Sequence, residues 1–182
     1  DGVEKWDQDV EKAKKLTADG AKSLKLCYVE ESTEQKNQAL TVQAELKAIG
    51  IDVELCGVNQ AAYMSAAYDQ ESTEYDMFLG AYVMGIDPDT FAALVVSTKD
   101  DMLNFHNTDI DAKFDEAGTT LDDTKRKELY NELQSMVSGE ALLYPMGTSM
   151  KTMVTTARVG NLEEAQFVPI YTFGDMAKLT LE

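Results

Sequence analysis

The sequence predicts an α/β fold, a mostly parallel sheet flanked by helices, on three observations. Residues 24–29 and 51–56 both read as strands, and a capped amphipathic helix lies between them. Residues 77–84 are eight apolar or small residues in succession, the pattern of a strand covered on both faces as parallel sheets require. From Ile110 onward the apolar spacing is mostly helical.

The chain opens on a short amphipathic helix, in which Trp6, Val10, Ala13 and Leu16 recur at helical spacing and Gly20 stands as the stop. After the strand at 24–29, Ser32-Thr33-Glu34-Gln35 has the form of a capping box. The helix it starts runs from about Thr33 to Ile49, with Ala39, Val42, Leu46 and Ile49 on one face and Gly50 where a left-handed cap is wanted. Strand, helix and strand make a βαβ unit, so the two strands are expected parallel with a right-handed crossover. Asn59 caps a short helix through Ala62, Tyr63, Ala66 and Ala67 before the 77–84 strand. In Asp87-Pro88-Asp89-Thr90, Pro88 sets a turn and Asp89 is placed to cap a helix opening at Thr90. Helices follow from Ile110 to about Ala117 and from near Asp123 to Val137. The second carries Leu129, Tyr130, Leu133, Met136 and Val137 on one face, and Gly139 punctuates its end. Residues 141–146 read as strand-like, with Pro145 restricting them to an edge or a strand end, and 151–157 as another extended piece. Residues 161–182 are weakly periodic, and no internal repeat or low-complexity linker divides the chain.

The 182 residues, 44% hydrophobic and 27% charged, fit one compact domain. Sixteen Lys+Arg against 33 Asp+Glu give a net charge of −17, which repels phosphate backbones and anionic headgroups, so nucleic acid is not an expected partner. That charge has an ordinary use on solvated faces and specifies no ligand. No apolar run approaches the ~20 residues of a membrane span, and the first residues lack a basic and then apolar leader, which fits either a cytosolic protein or one whose front end is missing. Cys27 and Cys56 lie in apolar runs and read as buried free thiols, with a disulfide across neighbouring strands as the alternative.

Enzyme signatures are sparse. His106 is the one imidazole and reads as a surface or loop residue beside Phe105 and Asn107. The eleven glycines form neither a dinucleotide fingerprint nor a phosphate loop, and no zinc-hydrolase helix motif occurs. Asp87 with Asp89, and Asp109 with Asp111, lack calcium-loop spacing and read as turn and cap residues. No catalytic residue, metal site or cofactor is therefore assigned. A glycosidase-type carboxylate pair stays open, because 33 acids make any single pairing uninformative.

An ordered series of segments resembles a known family. Residues 9–16 (Asp-Val-Glu-Lys-Ala-Lys-Lys-Leu) lead through Gly20 to Leu24-Lys25-Leu26. Residues 43–55 then run Gln-Ala-Glu-Leu-Lys-Ala-Ile-Gly-Ile-Asp-Val-Glu-Leu. Tyr75-Asp76-Met77-Phe78-Leu79-Gly80-Ala81-Tyr82 precedes Asp87-Pro88-Asp89-Thr90-Phe91, and Asn104-Phe105 follows. Residues 110–117 and 125–134 complete the series. Together they resemble the bacterial extracellular solute-binding proteins of family 5, the oligopeptide, dipeptide and nickel receptors of ABC importers.

The resemblance implies a type II periplasmic-binding-protein-like lobe, with residues 1–182 as the C-terminal lobe of a two-lobed protein and the last ~20 residues leading back toward a missing N-terminal lobe. It implies a peptide or other small-molecule ligand, ABC permease subunits as partners, and an extracytoplasmic site, periplasmic or lipid-anchored as a lipoprotein at the outer face of a Gram-positive membrane. Ligand contacts are expected from Tyr82, Met84, Asp87, Asn104 and Phe105, since open α/β sheets bind ligands outside the carboxyl ends of their strands. Counting back from Asp87-Pro88, the family's usual Trp falls on Ala81, which makes Tyr82 the nearest aromatic; Tyr82 serves equally well as lobe core. The Asp that several peptide-binding relatives aim at a ligand ammonium aligns with Met84, a residue that also suits gap-filling core. Asp87 is then the nearest acid for an ammonium. A ligand-sensing domain of a transcription regulator and an uncharacterised hydrolase are the rival readings.

Overall fold

The computed structural model describes residues 7–69, 71–83, 85, 87–97, 103, 105–148, 152–168 and 172–181. The chain divides into two compact units, Asp1–Leu142 and Leu143–Glu182.

The first unit opens with α1, Val10–Leu16, capped by the Asp9 carboxylate accepting from the Lys12 N–H at 2.9 Å. It ends at Thr17, three residues before the anticipated Gly20 stop, and none of its residues is buried. β1, Ser23–Val29, then pairs in parallel with β2, Asp52–Val58, from Ser23↔Asp52 to Val29↔Val58, as the βαβ reading requires. Between them α2, Thr33–Ala48, starts at Ser32, whose Oγ accepts from the Gln35 N–H at 3.2 Å. The helix closes on a complete Schellman arrangement: Gly50 N–H donates to Lys47 O and Ile51 N–H to Leu46 O, with Gly50 at φ +87°.

Only half of the anticipated capping box forms. The Gln35 side chain does not turn back to the Ser32 N–H; its Oε1 accepts from the N–H of Val29 at 2.8 Å, and the Ser32 N–H donates to Val29 O at 3.0 Å. This diversion shortens the third strand. β3, Met77–Phe78, pairs in parallel with β1 through Leu26↔Met77 and Cys27↔Phe78, giving the sheet order β2-β1-β3. The next rung would need the N–H and C=O of Val29, and both are occupied by the first turn of α2. The expected strand over 77–84 therefore stops at Phe78, which is 39% exposed, and Ala81, Tyr82 and Val83 lie exposed outside the ladder.

Alternation along the strands divides the core. One face of the sheet buries Leu26, Tyr28, Val53 and Leu79 with Ala39 of α2, and Val42 and Leu46 pack against them. The other face buries Cys27 and Val29 with Tyr63 of α3, Gln60–Ala67, a helix capped by Asn59 Oδ1 accepting from the Ala62 N–H at 2.9 Å. Both cysteines are free thiols; Cys27 is fully buried and Cys56 half-buried.

A 3-10 turn, Pro88–Phe91, leads into α4, Ala92–Val95, with Ala92, Leu94 and Val95 buried. Asp87, and not Asp89, caps this turn, because Pro88 at its first position needs the cap directly before it. α5, Thr108–Thr119, and α6, Asp123–Gly139, pack on one another and bury Ile110, Phe114 and Ala117 with Leu129, Tyr130 and Leu133. Asp111 joins α5 to the end of α4 by accepting from the Ser97 N–H at 3.0 Å and from the Ser97 hydroxyl. At the end of α6 the left-handed residue is Ala141 at φ +53°, so Gly139 remains helical.

The second unit holds two short antiparallel pairs. β4, Val159–Gly160, pairs with β7, Thr180–Leu181, and β5, Phe167–Val168, with β6, Thr172–Phe173. A 3-10 turn, Met176–Lys178, is capped by Asp175. No strand forms over the described residues of 141–146 and 151–157, where the extended chain acquires no ladder partner.

Candidate ligand-binding site

All three parallel strands of the first unit end on the same edge of the sheet, at Val29, Val58 and Phe78. Two of these ends lead directly to helix caps, Ser32 and Asn59. Past the third, where the Leu79 N–H still donates to Cys27 O at 2.9 Å, the described residues 80–83 lie outside the ladder, the place where open α/β sheets take ligands.

Side chains hold this segment in position. Tyr63 and Tyr75 flank Phe78 with edge-to-face rings at 5.9 and 5.7 Å. Gly80 passes the Tyr63 hydroxyl so closely that an added Cβ would lie 3.3 Å from it. Burial pushes the Tyr63 phenol above its ordinary pKa, so it stays protonated at neutral pH. Farther on, the Tyr82 hydroxyl donates to Thr90 O at 2.6 Å, and its ring meets Phe91 edge-on at 6.4 Å. Tyr82 as a whole is 42% exposed, so part of the residue stays available to solvent. Thr90 knots the turn, with its N–H and hydroxyl both donating to Asp87 O, at 3.1 and 2.8 Å, while its Oγ1 accepts from the Gly85 N–H at 3.1 Å. A Cβ on Gly85 would sit 2.7 Å from Thr90 Cγ2, and Thr90 could move aside only by giving up these bonds.

Asp87 is the pivot. Its Oδ1 accepts from the Asp89 N–H at 2.8 Å and from Arg126 of α6 at 2.8 Å. The Arg126 guanidinium, followed by the Asp89 amide, holds the Asp87 carboxyl below its ordinary pKa. Arg126 also donates to Ala117 O at 3.2 Å and to the Tyr130 hydroxyl at 3.2 Å, and lies over the Tyr130 ring 4.9 Å from its centroid. The Tyr130 hydroxyl in turn donates to Asp89 Oδ1 at 3.1 Å; its pKa is pushed up to about 12, first by burial and then by Asp89. Asp87 thus enters the site as a paired carboxylate that fixes the turn.

Of the five residues anticipated from the sequence, Tyr82 and Asp87 are brought together through Thr90. Phe105 is half-buried in the extended stretch before Asn107, which caps α5. Met84 and Asn104 lie outside the described residues. Arg126 was not anticipated, and Asp89, Thr90 and Tyr130 were read only as cap, helix start and helix face, not as parts of the site. Arg126 is one of two arginines among sixteen basic residues and stands four before Tyr130, the single signal that set it apart.

Elsewhere, a hollow of about 310 Å³ between α2 and β2 is lined by Gln43, Ala44, Lys47, Asp52 and Val53. Its polar groups are engaged already, Gln43 Nε2 donating to Val53 O at 2.7 Å and Lys47 pairing with Asp52. Among the described residues no group of three or more His, Cys, Asp and Glu is placed to hold a metal, and no helix is long and apolar enough to cross a membrane.

The profile of bacterial extracellular solute-binding proteins, family 5 Middle, matches residues 1–102, more than half of the chain. The chain belongs to that family. Similar proteins of known structure cover the rest of it. The ABC transporter substrate-binding protein CtaP of Listeria monocytogenes is 31% identical, with a TM-score of 0.84 over 98% of this chain. A putative peptide-binding protein AppA of Clostridium difficile is 30% identical, with a TM-score of 0.86 over the whole of it. The peptide transport periplasmic protein SapA of Haemophilus influenzae is 27% identical over 132 residues, 69% of this chain. The fold is thus periplasmic-binding-protein-like, an α/β architecture built on a parallel sheet. The chain spans 38% of each of the two solved structures and 23% of SapA.

Proposed function

We propose that this chain is the C-terminal, ligand-closing lobe of a two-lobed extracytoplasmic receptor that captures a peptide or similar small solute and delivers it to an ABC permease. The observation that carries this reading is the segment after β3. In a chain of the solute-binding family, it sets an aromatic face, Tyr82, on a braced turn beyond the carboxyl edge of a parallel sheet. The mechanism is capture without chemistry: closure expels water, and the ligand's differential affinity for the closed state selects it. Tyr82 offers a flat apolar face, Phe105, Met84 and Asn104 are further candidate contacts, and Asp87 contributes by setting the turn while its charge is matched by Arg126. The second half of the pocket belongs to the N-terminal lobe of the same protein.

The test is native mass spectrometry of the full-length protein purified from its own organism, with the co-purified ligand released and identified. An intact peptide supports the whole reading, and an intact non-peptide solute keeps the receptor while removing the peptide. Recovery of cleavage products, with turnover lost on removing a carboxylate at this edge, contradicts it.

A further inference from the structure

The register of the βαβ unit places Cys27 of β1 directly opposite Cys56 of β2. Neighbouring strands run about 4.8 Å apart, and residues in direct parallel register point to the same face, so this pair falls within the roughly 4.4–6.8 Å Cα separation that a disulfide needs. Both side chains lie on the α3 face of the sheet: Leu26 and Leu55, their neighbours in sequence, pack on the α2 face, and Cys27 clusters with Val29, Val58 and Tyr63. The two thiols differ in access. Cys27 is fully buried, whereas Cys56 is half-buried and its Sγ makes only a weak 3.8 Å contact with Glu54 O. Neither cysteine has a part in the ligand edge described above, and an extracytoplasmic protein meets oxidising surroundings.

We infer that Cys27 and Cys56 form a dithiol redox site that a small-molecule disulfide such as oxidised glutathione converts to a cross-strand disulfide. In the first step the Cys56 thiolate attacks one sulfur of the oxidant, whose S–S bond breaks; one glutathione leaves as thiolate and takes up a proton. In the second step the Cys27 thiolate attacks Cys56 Sγ and expels the second glutathione. Two protein thiols are oxidised and one external disulfide is reduced to two thiols. The bridge closes the loop that contains α2 and ties the two strands together two residues before their carboxyl ends at Val29 and Val58. The groups around the pair set its pace. Burial, the facing thiol of Cys56 and Glu74 push the Cys27 thiol up to about 11. Cys56 is raised by burial, Glu54 and Glu74 and lowered by Lys25, while Tyr63, itself raised, also faces Cys27. Few thiolates are therefore present at neutral pH, and the reaction is slow there.

The test treats the folded full-length protein with oxidised glutathione and follows its intact mass and peptide map. The expected product is lighter by two hydrogens, contains one cross-linked peptide joining Cys27 to Cys56, and returns to its starting mass with reductant. Its rate is expected to climb roughly tenfold per pH unit from pH 7 to pH 9 without levelling, because the thiolate fraction is still rising. A persistent glutathione adduct on Cys56, or thiols that stay unreacted at pH 9, overturns the inference. The result depends on the β1–β2 register and on the surroundings of the two thiols, not on the ligand edge, so it stands or falls apart from the ligand reading.

Discussion

The βαβ unit, residues 23–58, and the described residues of 76–91 share β1 as a ladder partner but are held by different means. In the first, seven consecutive register pairs and a helix with a complete Schellman end bury Leu26, Ala39 and Val53, so main-chain ladders and apolar burial do the work. In the second, two rungs suffice, and each end of the short ladder is closed by a side chain. The Asp76 carboxylate accepts from the Lys25 N–H at 2.7 Å, and Gln35 takes the Val29 N–H. Beyond that point the backbone is fixed by Thr90, Asp87 and Arg126. Stability thus sits in the ladder-built unit, and on the proposed reading recognition sits in the side-chain-built segment. The ladder-built unit is a platform, and the side-chain-built segment can present a ring such as Tyr82 because it is released from the sheet.

The largest effect is expected in the platform. Leu26→Ala removes a side chain that is 2% exposed and is expected to lower the free energy of unfolding by about 2–5 kcal/mol in urea denaturation. Gln35→Ala acts at the junction of the two regions, leaving the buried Val29 N–H without its acceptor. It should cost about 1–2 kcal/mol and speed exchange of the Val29 amide, while Gln35→Glu, which keeps an acceptor oxygen, should recover most of the loss.

The helix from Thr33, its Gly50 cap, the two long strands and the α5–α6 pair were all legible in the sequence, because each rests on local periodicity and local caps. The course of 77–84 was not. Its apolar run reads as a strand, and what cuts it short is a Gln35 side chain forty-odd residues upstream that satisfies the ladder's next donor. In the same way Tyr82 and Asp87 were picked out from the sequence, yet the pairing of Asp87 with Arg126, thirty-nine residues away, leaves no periodic trace. Cap identity also shifted by two positions, from Asp89 to Asp87, since Pro88 fits the first position of the turn.

The smallest stability effect belongs to that pair. The Asp87 side chain is 52% exposed and Arg126 25%, so solvent screens their attraction. Because the native Asp87 pKa lies below its unfolded value, its contribution is present above the ordinary carboxylate pKa and is lost as pH falls through the native one. The difference in stability between the unaltered protein and Asp87→Asn should therefore be full above about pH 5 and shrink as pH falls below about 4, read by denaturation at several pH values.

The most direct test of the account compares ligand affinity in three variants of the full-length protein, using the ligand recovered from it. Tyr82→Ala is expected to weaken binding by about tenfold or more. Tyr82→Phe, which drops the Thr90 bond but keeps the ring, should leave affinity within about twofold. Asp87→Asn should bind nearly as well as the unaltered protein, since that carboxylate is matched internally by Arg126. Unchanged affinity in Tyr82→Ala together with a large loss in Asp87→Asn would contradict the account, making Asp87 the ligand's anchor and Tyr82 part of the core.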